Sequence, residues 1–125
     1  MQKKLPSLRA FTLVEVLVVV LIIGVLMNFA LPAYLSSVFN ARQGVANANA
    51  KTLALSVQAK AVVAGTYDTV LTDYASDMNG TIPLNPCTGT TTGYTITATS
   101  TTATVTSSAG TACGTWAPNI YSLTL

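Results

Sequence analysis

Glu15 is the only charged residue among the 25 residues from 11 to 35, FTLVEVLVVVLIIGVLMNFALPAYL. A carboxylate inside an apolar helix is costly unless a cation or a polar group answers it. Its chemistry is therefore charge pairing. Catalysis is a poor alternative for this chain. There is no histidine and there are only four carboxylates in 125 residues. General acid–base work and metal-assisted hydrolysis both rest on residue types that are missing or sparse here. Serine and threonine abound, but no histidine stands by to activate one and no G-x-S-x-G elbow occurs. The sequence predicts no enzyme, no cofactor and no metal site.

The charge balance narrows the class further. The chain is 50% hydrophobic and 8% charged, with a net charge of +2. Ordinary soluble domains carry roughly 25% charged residues. The whole positive excess comes from Lys3, Lys4 and Arg9. From Phe11 onward Arg42, Lys51 and Lys60 face Glu15, Asp68, Asp73 and Asp77, a net of −1. DNA binding is thus not indicated by charge.

Three readings compete for residues 1–35. A secretory signal peptide needs an apolar core of about 7–15 residues and an A-x-A-like site behind it. This run is longer, and NFALPAYLSS has no clean A-x-A. A plain membrane anchor fits the length: 25 helical residues span about 37 Å against a hydrocarbon core of about 30 Å. The third reading is a cut in front of the run, which then stays on the mature chain. The lysines and Arg9 on the amino side, with Ser36, Ser37 and Asn40 beyond the run, place the amino end in the cytoplasm by the positive-inside rule.

Lys3, Lys4, Ala10, Phe11, Thr12, Leu13 and Glu15 carry a resemblance. Leader, small residue, then F-T-L-V-E resembles the class III signal of type IV prepilins and pseudopilins. The resemblance implies an α+β type IV pilin fold: a long N-terminal helix, apolar in its first half, packed by its second half on a small antiparallel sheet of three to four strands. It implies cleavage between Ala10 and Phe11 by a prepilin peptidase and methylation of the new Phe11 amine. Most members carry glycine before the cut; Ala10 is also small. It implies that Glu15 meets the Phe11 amine of a neighbouring subunit. The two lie one helical turn apart in sequence, about 6 Å along the axis. The partners implied are further copies in a helical filament, the peptidase, the inner-membrane assembly machinery and, before assembly, the membrane itself. The route implied runs from the bacterial inner membrane, with the carboxy-terminal domain periplasmic, to an extracellular pilus. A simpler account of Glu15 is a carboxylate near a helix N-terminus, favoured by the dipole and able to snorkel.

Gly24, Asn28 and Pro32 mark a weak stretch. Pro32 cannot donate to the Asn28 carbonyl, and glycine is a poor helix former. A modest kink is expected in the lone subunit. By the resemblance, this stretch melts inside a filament, where Asn28 would satisfy a freed backbone group.

The helix is expected to run from Phe11 to about Ala64, roughly 80 Å, with Gly65 as its stop. Beyond Pro32 a stripe of Tyr34, Val38, Ala41, Val45, Ala48, Thr52, Leu55, Ala59 and Val62 alternates four and three. That spacing predicts one buried face, widened by Phe39, Leu53 and Val57. The domain plan is a leader at 1–10, an apolar membrane and polymerisation helix at 11–35, and a globular domain at 36–125. Within the last, a helix covers 36–64, a loop 65–92 and a sheet 93–125.

Asn79-Gly80 and two prolines make 65–92 a connecting loop. Asp68, Asp73 and Asp77 cluster in it without a recognised calcium pattern, so a solvated acidic loop is expected. Asn79-Gly80-Thr81 also matches an N-glycosylation triplet, common by chance. Alternation over GYTITATSTTATVTS predicts an antiparallel hairpin, and IYSLTL a third strand. Thirteen threonines and no charge lie between Thr88 and Thr115; strand propensity and an O-glycosylated outer surface both account for them. Cys87 and Cys113 lie outside on this topology, where a disulfide is the default. A bridge closing that loop is worth about 3.5 kcal/mol in the chain-entropy model. It resembles the carboxy-terminal disulfide of many type IV pilins, but encloses most of the sheet.

The function expected is a type IV pilus subunit for adhesion, twitching motility or DNA uptake. The alternatives are a type II secretion pseudopilin and a DNA-binding competence pilin.

Overall fold

The computed structural model describes residues 11–125, so the leader and Ala10 lie outside the described residues. The described chain divides into two units at Leu35 and Ser36. One helix, α1, covers Leu13–Ala64. Three strands follow: β1 (Tyr94–Ala98), β2 (Thr102–Ser107) and β3 (Ile120–Thr124). The class is α+β, a long N-terminal helix packed on a small antiparallel sheet, as the resemblance implies.

Local sequence explains both ends of α1. Thr12 is the cap: its hydroxyl and its carbonyl both accept from the Glu15 N–H, at 3.3 and 3.1 Å. This satisfies one of the amide groups that a helix start leaves without a partner. At the other end Gly65 turns into the left-handed region at φ 76°, and its N–H donates to the Ala61 carbonyl at 2.8 Å. Glycine adopts that conformation without a Cβ penalty.

The sheet is a meander ordered β1-β2-β3, antiparallel throughout. The register pairs Ile96 with Val105 and Val105 with Tyr121. Side chains alternate across a strand. Tyr94, Ala103 and Val105 are therefore buried on the helix side, while Thr95, Thr97, Ser122 and Thr124 are exposed. The β1–β2 turn is closed by Thr99, whose N–H donates to the Thr102 carbonyl at 2.7 Å.

The helix face that meets the sheet is not the expected one. The core holds Ala50, Leu53, Ala54, Val57 and Ala61, joined by Tyr67, Tyr74, Ile82, Tyr94, Ala103 and Val105. The predicted stripe turns outward instead. Val45, Leu55 and Val62 are 51%, 62% and 65% exposed. Leu53 and Val57, expected only to widen the stripe, are its buried centre. Burying each contributes about 1.5–3 kcal/mol. The two apolar stripes lie on opposite sides of the helix, and the one that packs in the core carries Leu53 and Val57 among the small side chains of Ala50, Ala54 and Ala61.

Polar pairs fix that contact. Tyr121 donates to the Asn47 carbonyl at 3.0 Å, and Asn47 Oδ1 accepts from the Asn119 N–H at 3.1 Å. Asn49 Nδ2 donates to Tyr94 Oη at 3.2 Å.

The segment 65–92 is more ordered than a loop. Residues Leu71–Met78 form a 3₁₀ helix, closed by Asn79 at φ 65° with the Gly80 N–H on the Ala75 carbonyl. Tyr74 anchors it: its ring is 1% exposed and its hydroxyl donates to the Asp68 carbonyl at 2.8 Å. Lys60 on α1 holds the outer side. Its ammonium donates to the Asp73 carbonyl, lies 3.4 Å from Asp77 Oδ2, and sits 5.1 Å from the centroid of the Tyr74 ring.

Candidate functional site

Two groups of residues carry chemistry, one in each unit. In the first, Phe11 precedes the helix and is 75% exposed. Glu15 occupies the third helical position, in the first turn. A negative charge there is favoured by the uncompensated amides and the helix dipole. Thr12-Leu13-Val14-Glu15 also has the spacing of a capping box. That pattern was legible in the sequence and passed over; it makes Thr12 a positioning residue for Glu15. Among the described residues no cation lies within ion-pair distance of Glu15.

Every residue from 11 to 37 is exposed in the single chain. Leu13, Leu17, Leu21, Leu26 and Leu31 each present more than half of their surface. Monomeric soluble proteins rarely expose apolar patches beyond a few hundred Å². This surface therefore requires a covering, either lipid or protein. α1 is long and apolar enough to cross a membrane.

Gly24, Asn28 and Pro32 all lie inside the unbroken helix α1 and are exposed. Asn28 Nδ2 donates to the Gly24 carbonyl at 3.0 Å. The side chain thus serves the turn before it. The carbonyl that Pro32 leaves without a backbone donor is Asn28's own. The space beside Gly24 is open: a Cβ there would meet no atom within 4 Å.

In the second unit Cys87 and Cys113 are joined by a disulfide, with Cα atoms 5.0 Å apart and both side chains 1% exposed. The bridge spans 26 residues and encloses β1 and β2, leaving β3 outside. It packs on Ala46, with Trp116 against it. Arg42 and Gln43 of α1 donate to the carbonyls of Ala112 and Cys113, each at 2.9 Å. Helix and disulfide are thereby tied through charge-assisted and amide bonds.

Asn85 organises the approach to the bridge and was missed in the sequence. It is fully buried. Its Nδ2 donates to the carbonyls of Gly93 and Ser108, and its Oδ1 accepts from the Cys87 N–H at 2.9 Å. A single side chain so serves three backbone groups at once, although the Gly93 carbonyl also accepts from the Ser108 N–H at 2.8 Å. The clue was its place between Pro83 and Pro86, two residues before the first cysteine.

The aspartates lie around Lys60 and Tyr74. The Val70 N–H donates to Asp68 Oδ1 at 3.0 Å and holds that carboxyl below the usual carboxylate range, helped by a hydrogen bond with Asp73. Among the described residues, no group of three or more His, Cys, Asp or Glu is placed to hold a metal ion.

Comparison with known proteins agrees with the amino-terminal geometry. Residues 7–27 match the model of the prokaryotic N-terminal methylation motif, the type IV prepilin-like signal. No curated protein and no solved structure matches the chain. The motif and the helix-on-sheet architecture support a type IV pilin-like or pseudopilin-like protein, a structural class. The motif implies processing by a prepilin peptidase and assembly into a pilus-like filament. With the apolar helix, it supports membrane anchoring before assembly.

Proposed function

We propose that this chain is a subunit of a type IV pilus. A peptidase removes residues 1–10, and Phe11 becomes an N-methylated amino terminus. Residues 11–35 hold the subunit in the inner membrane and then pass into the core of a filament, where other copies replace lipid as the covering. The observation that carries this reading is Glu15: one carboxylate in the first helical turn of an otherwise uncharged, exposed apolar segment, within the matched methylation motif.

In this reading Glu15 is answered by the Phe11 ammonium of a neighbouring copy. The pair would sit in low dielectric, where attraction is strong but desolvation offsets much of it. Its main effect is then to fix the register of entry. Gly24 to Pro32 would loosen in the fibre, with Pro32 already one backbone bond short. The fibre would serve adhesion, twitching motility or DNA uptake.

A pseudopilin of a secretion apparatus is the second reading. The disulfide-closed domain favours the pilus. Electron microscopy of fibres sheared from cells, with mass spectrometry of their subunits, tests the proposal. Abundant fibres whose subunits begin at N-methyl-Phe11 are expected. Subunits that still begin at Met1 would overturn it. Correctly processed subunits without surface fibres would move the chain to the secretion apparatus.

A further inference from the structure

The outward face of the second half of α1 is a heptad seam. Val45, Ala48, Thr52, Leu55, Ala59 and Val62 follow one another at spacings of three and four, and all six are exposed. The buried residues, Ala46 against the disulfide and Ala50, Leu53, Val57 and Ala61 in the core with the sheet, lie on the other side of the same helix. A spacing that averages 3.5 keeps one stripe facing a partner helix as the two wind together. The sheet consumes one apolar stripe and leaves this second stripe with nothing against it.

We infer that two copies of the chain pair side by side, parallel and in register, through this seam. This rests on the membrane-anchored reading above, because copies held in one bilayer by the same segment all point the same way. An antiparallel partner is thereby excluded.

The side chains fit a parallel pair. One core position of the heptad holds Val45, Thr52 and Ala59 and the other Ala48, Leu55 and Val62; the central pairing of β-branched Val45 and Thr52 with Leu55 is the combination that favours two strands. Ala48 and Ala59 let the backbones approach. Thr52 looks like a polar fault in the seam, but its hydroxyl donates to the Ala48 carbonyl at 3.1 Å. Its hydrogen bond is thus made within its own helix, and its methyl group is left to pack like that of valine.

Charge also permits the pairing. In a parallel pair the residue before one heptad core lies beside the residue after the core of the next. Lys51 would face Ser56, Gly44 would face Asn49 and Gln58 would face Val63. No like charges meet, and no acidic residue lies anywhere between 38 and 64.

The test is cross-linking of the full chain in membranes. Single cysteines are placed at Val45→Cys or Leu55→Cys on the seam, and at Asn40→Cys or Ala64→Cys, exposed but off it. Cys87 and Cys113 are bridged and buried, so they do not compete. A short bis-maleimide should give same-position dimers at 45 and 55 in several-fold excess over 40 and 64. Adding Leu55→Asp to Val45→Cys should abolish that excess, and retention of the Cys87–Cys113 bridge in this variant shows that the domain has folded. Equal yields on and off the seam, or none, would overturn the pairing. The same measurement in a Glu15→Val background separates it from filament assembly. Dimers should persist there, and their loss would mean that the contact belongs to the polymer and that pairing as stated is wrong. Membrane extraction of each sample separates the two failures. A chain that washes off the membrane overturns the anchoring and the pairing with it; a chain that stays without dimers overturns the pairing alone.

Discussion

The carbonyl oxygen of Cys87 lies 1.8 Å from the position a Cβ on residue 110 would take. Gly110 therefore owes its identity to close approach. Its backbone, at φ −116° and ψ 157°, is extended and open to any residue. The obstructing atoms are backbone, which cannot rotate away, and they belong to the half-cystine itself. The backbone at Cys87 and the β2–β3 connection thus meet at one point without a side chain.

Gly110→Ala should force that connection away from Cys87. The expected cost is about 1–3 kcal/mol, the range of overpacked interiors. Gly44→Ala is the control, since a Cβ there meets nothing within 4 Å. In a helix interior that change should be neutral or stabilise by up to about 1 kcal/mol. The melting temperature of the full chain in detergent, followed by circular dichroism, should fall for Gly110→Ala and hold or rise for Gly44→Ala. Equal melting temperatures would show that the connection relaxes freely.

Asn85 offers a sharper test of polar packing. Asn85→Asp keeps the shape and the acceptor toward the Cys87 N–H. It replaces the donor that serves the Gly93 and Ser108 carbonyls with a buried carboxylate oxygen. A buried group left without its partner costs about 1–3 kcal/mol, more when charged. Asn85→Asp should therefore destabilise at least as much as Asn85→Ala at pH 7 and recover in part as the pH falls and the carboxyl protonates. Hydrogen exchange at the Cys87 amide is the local readout, and fast exchange is expected in the alanine variant.

The strands were legible because alternation in TITA and TATVT fixes which face is inward, and a register slip would turn every threonine into the core. The helix was legible as a helix but not by face. Ala41, Ala48 and Ala59 have the same apolar character as Ala46, Ala50 and Ala61, so periodicity could not tell the sheet-facing stripe from the free one. Hydropathy alone favoured the stripe with more large residues, while the folded core took Leu53 and Val57 among small alanines. The 3₁₀ helix at Leu71–Met78 was hidden by its aspartates. What orders it is Tyr74, whose burial depends on α1 residues distant in the chain. Asn85 was hidden for a similar reason, since its three partners come together only in the folded domain.

Tyr94 makes the domain sensitive to alkali. Burial pushes its phenol above the usual value of 10.0, with the hydrogen bond from Asn49 pulling the other way. Tyr74 is raised as well, first by burial and then by the charge of Asp68. A phenol raised in the folded state keeps its proton there longer than in the unfolded chain. Its contribution to stability is thus complete below the unfolded value and is lost as the pH climbs through the folded one. Melting temperature should hold up to about pH 10 and fall above it. Tyr94→Phe should lower stability at pH 7 by about 1 kcal/mol for the lost Asn49 bond, yet flatten the alkaline fall. An unchanged slope in that variant would assign the loss to other groups.

Glu15 separates a helix-capping account from an assembly account. If its carboxylate serves only the helix start, removing Thr12 should matter as much, because Thr12 accepts the Glu15 N–H. Thr12→Ala should cost about 1 kcal/mol of local helix stability and leave fibres in place. Glu15→Val and Glu15→Gln should both be cleaved, methylated and inserted, as mass spectrometry of the membrane fraction would report. Both should assemble poorly. Breaking a buried charge pair costs about 3–5 kcal/mol, so fibre yield should fall by well over ten-fold. Glutamine matters most among these variants. It keeps the size and hydrogen-bonding capacity of Glu15 but not the charge that answers an ammonium. Glu15→Gln cells that shed normal amounts of fibre would refute a charge pair with Phe11, while loss of fibre in Thr12→Ala alone would return Glu15 to the capping role.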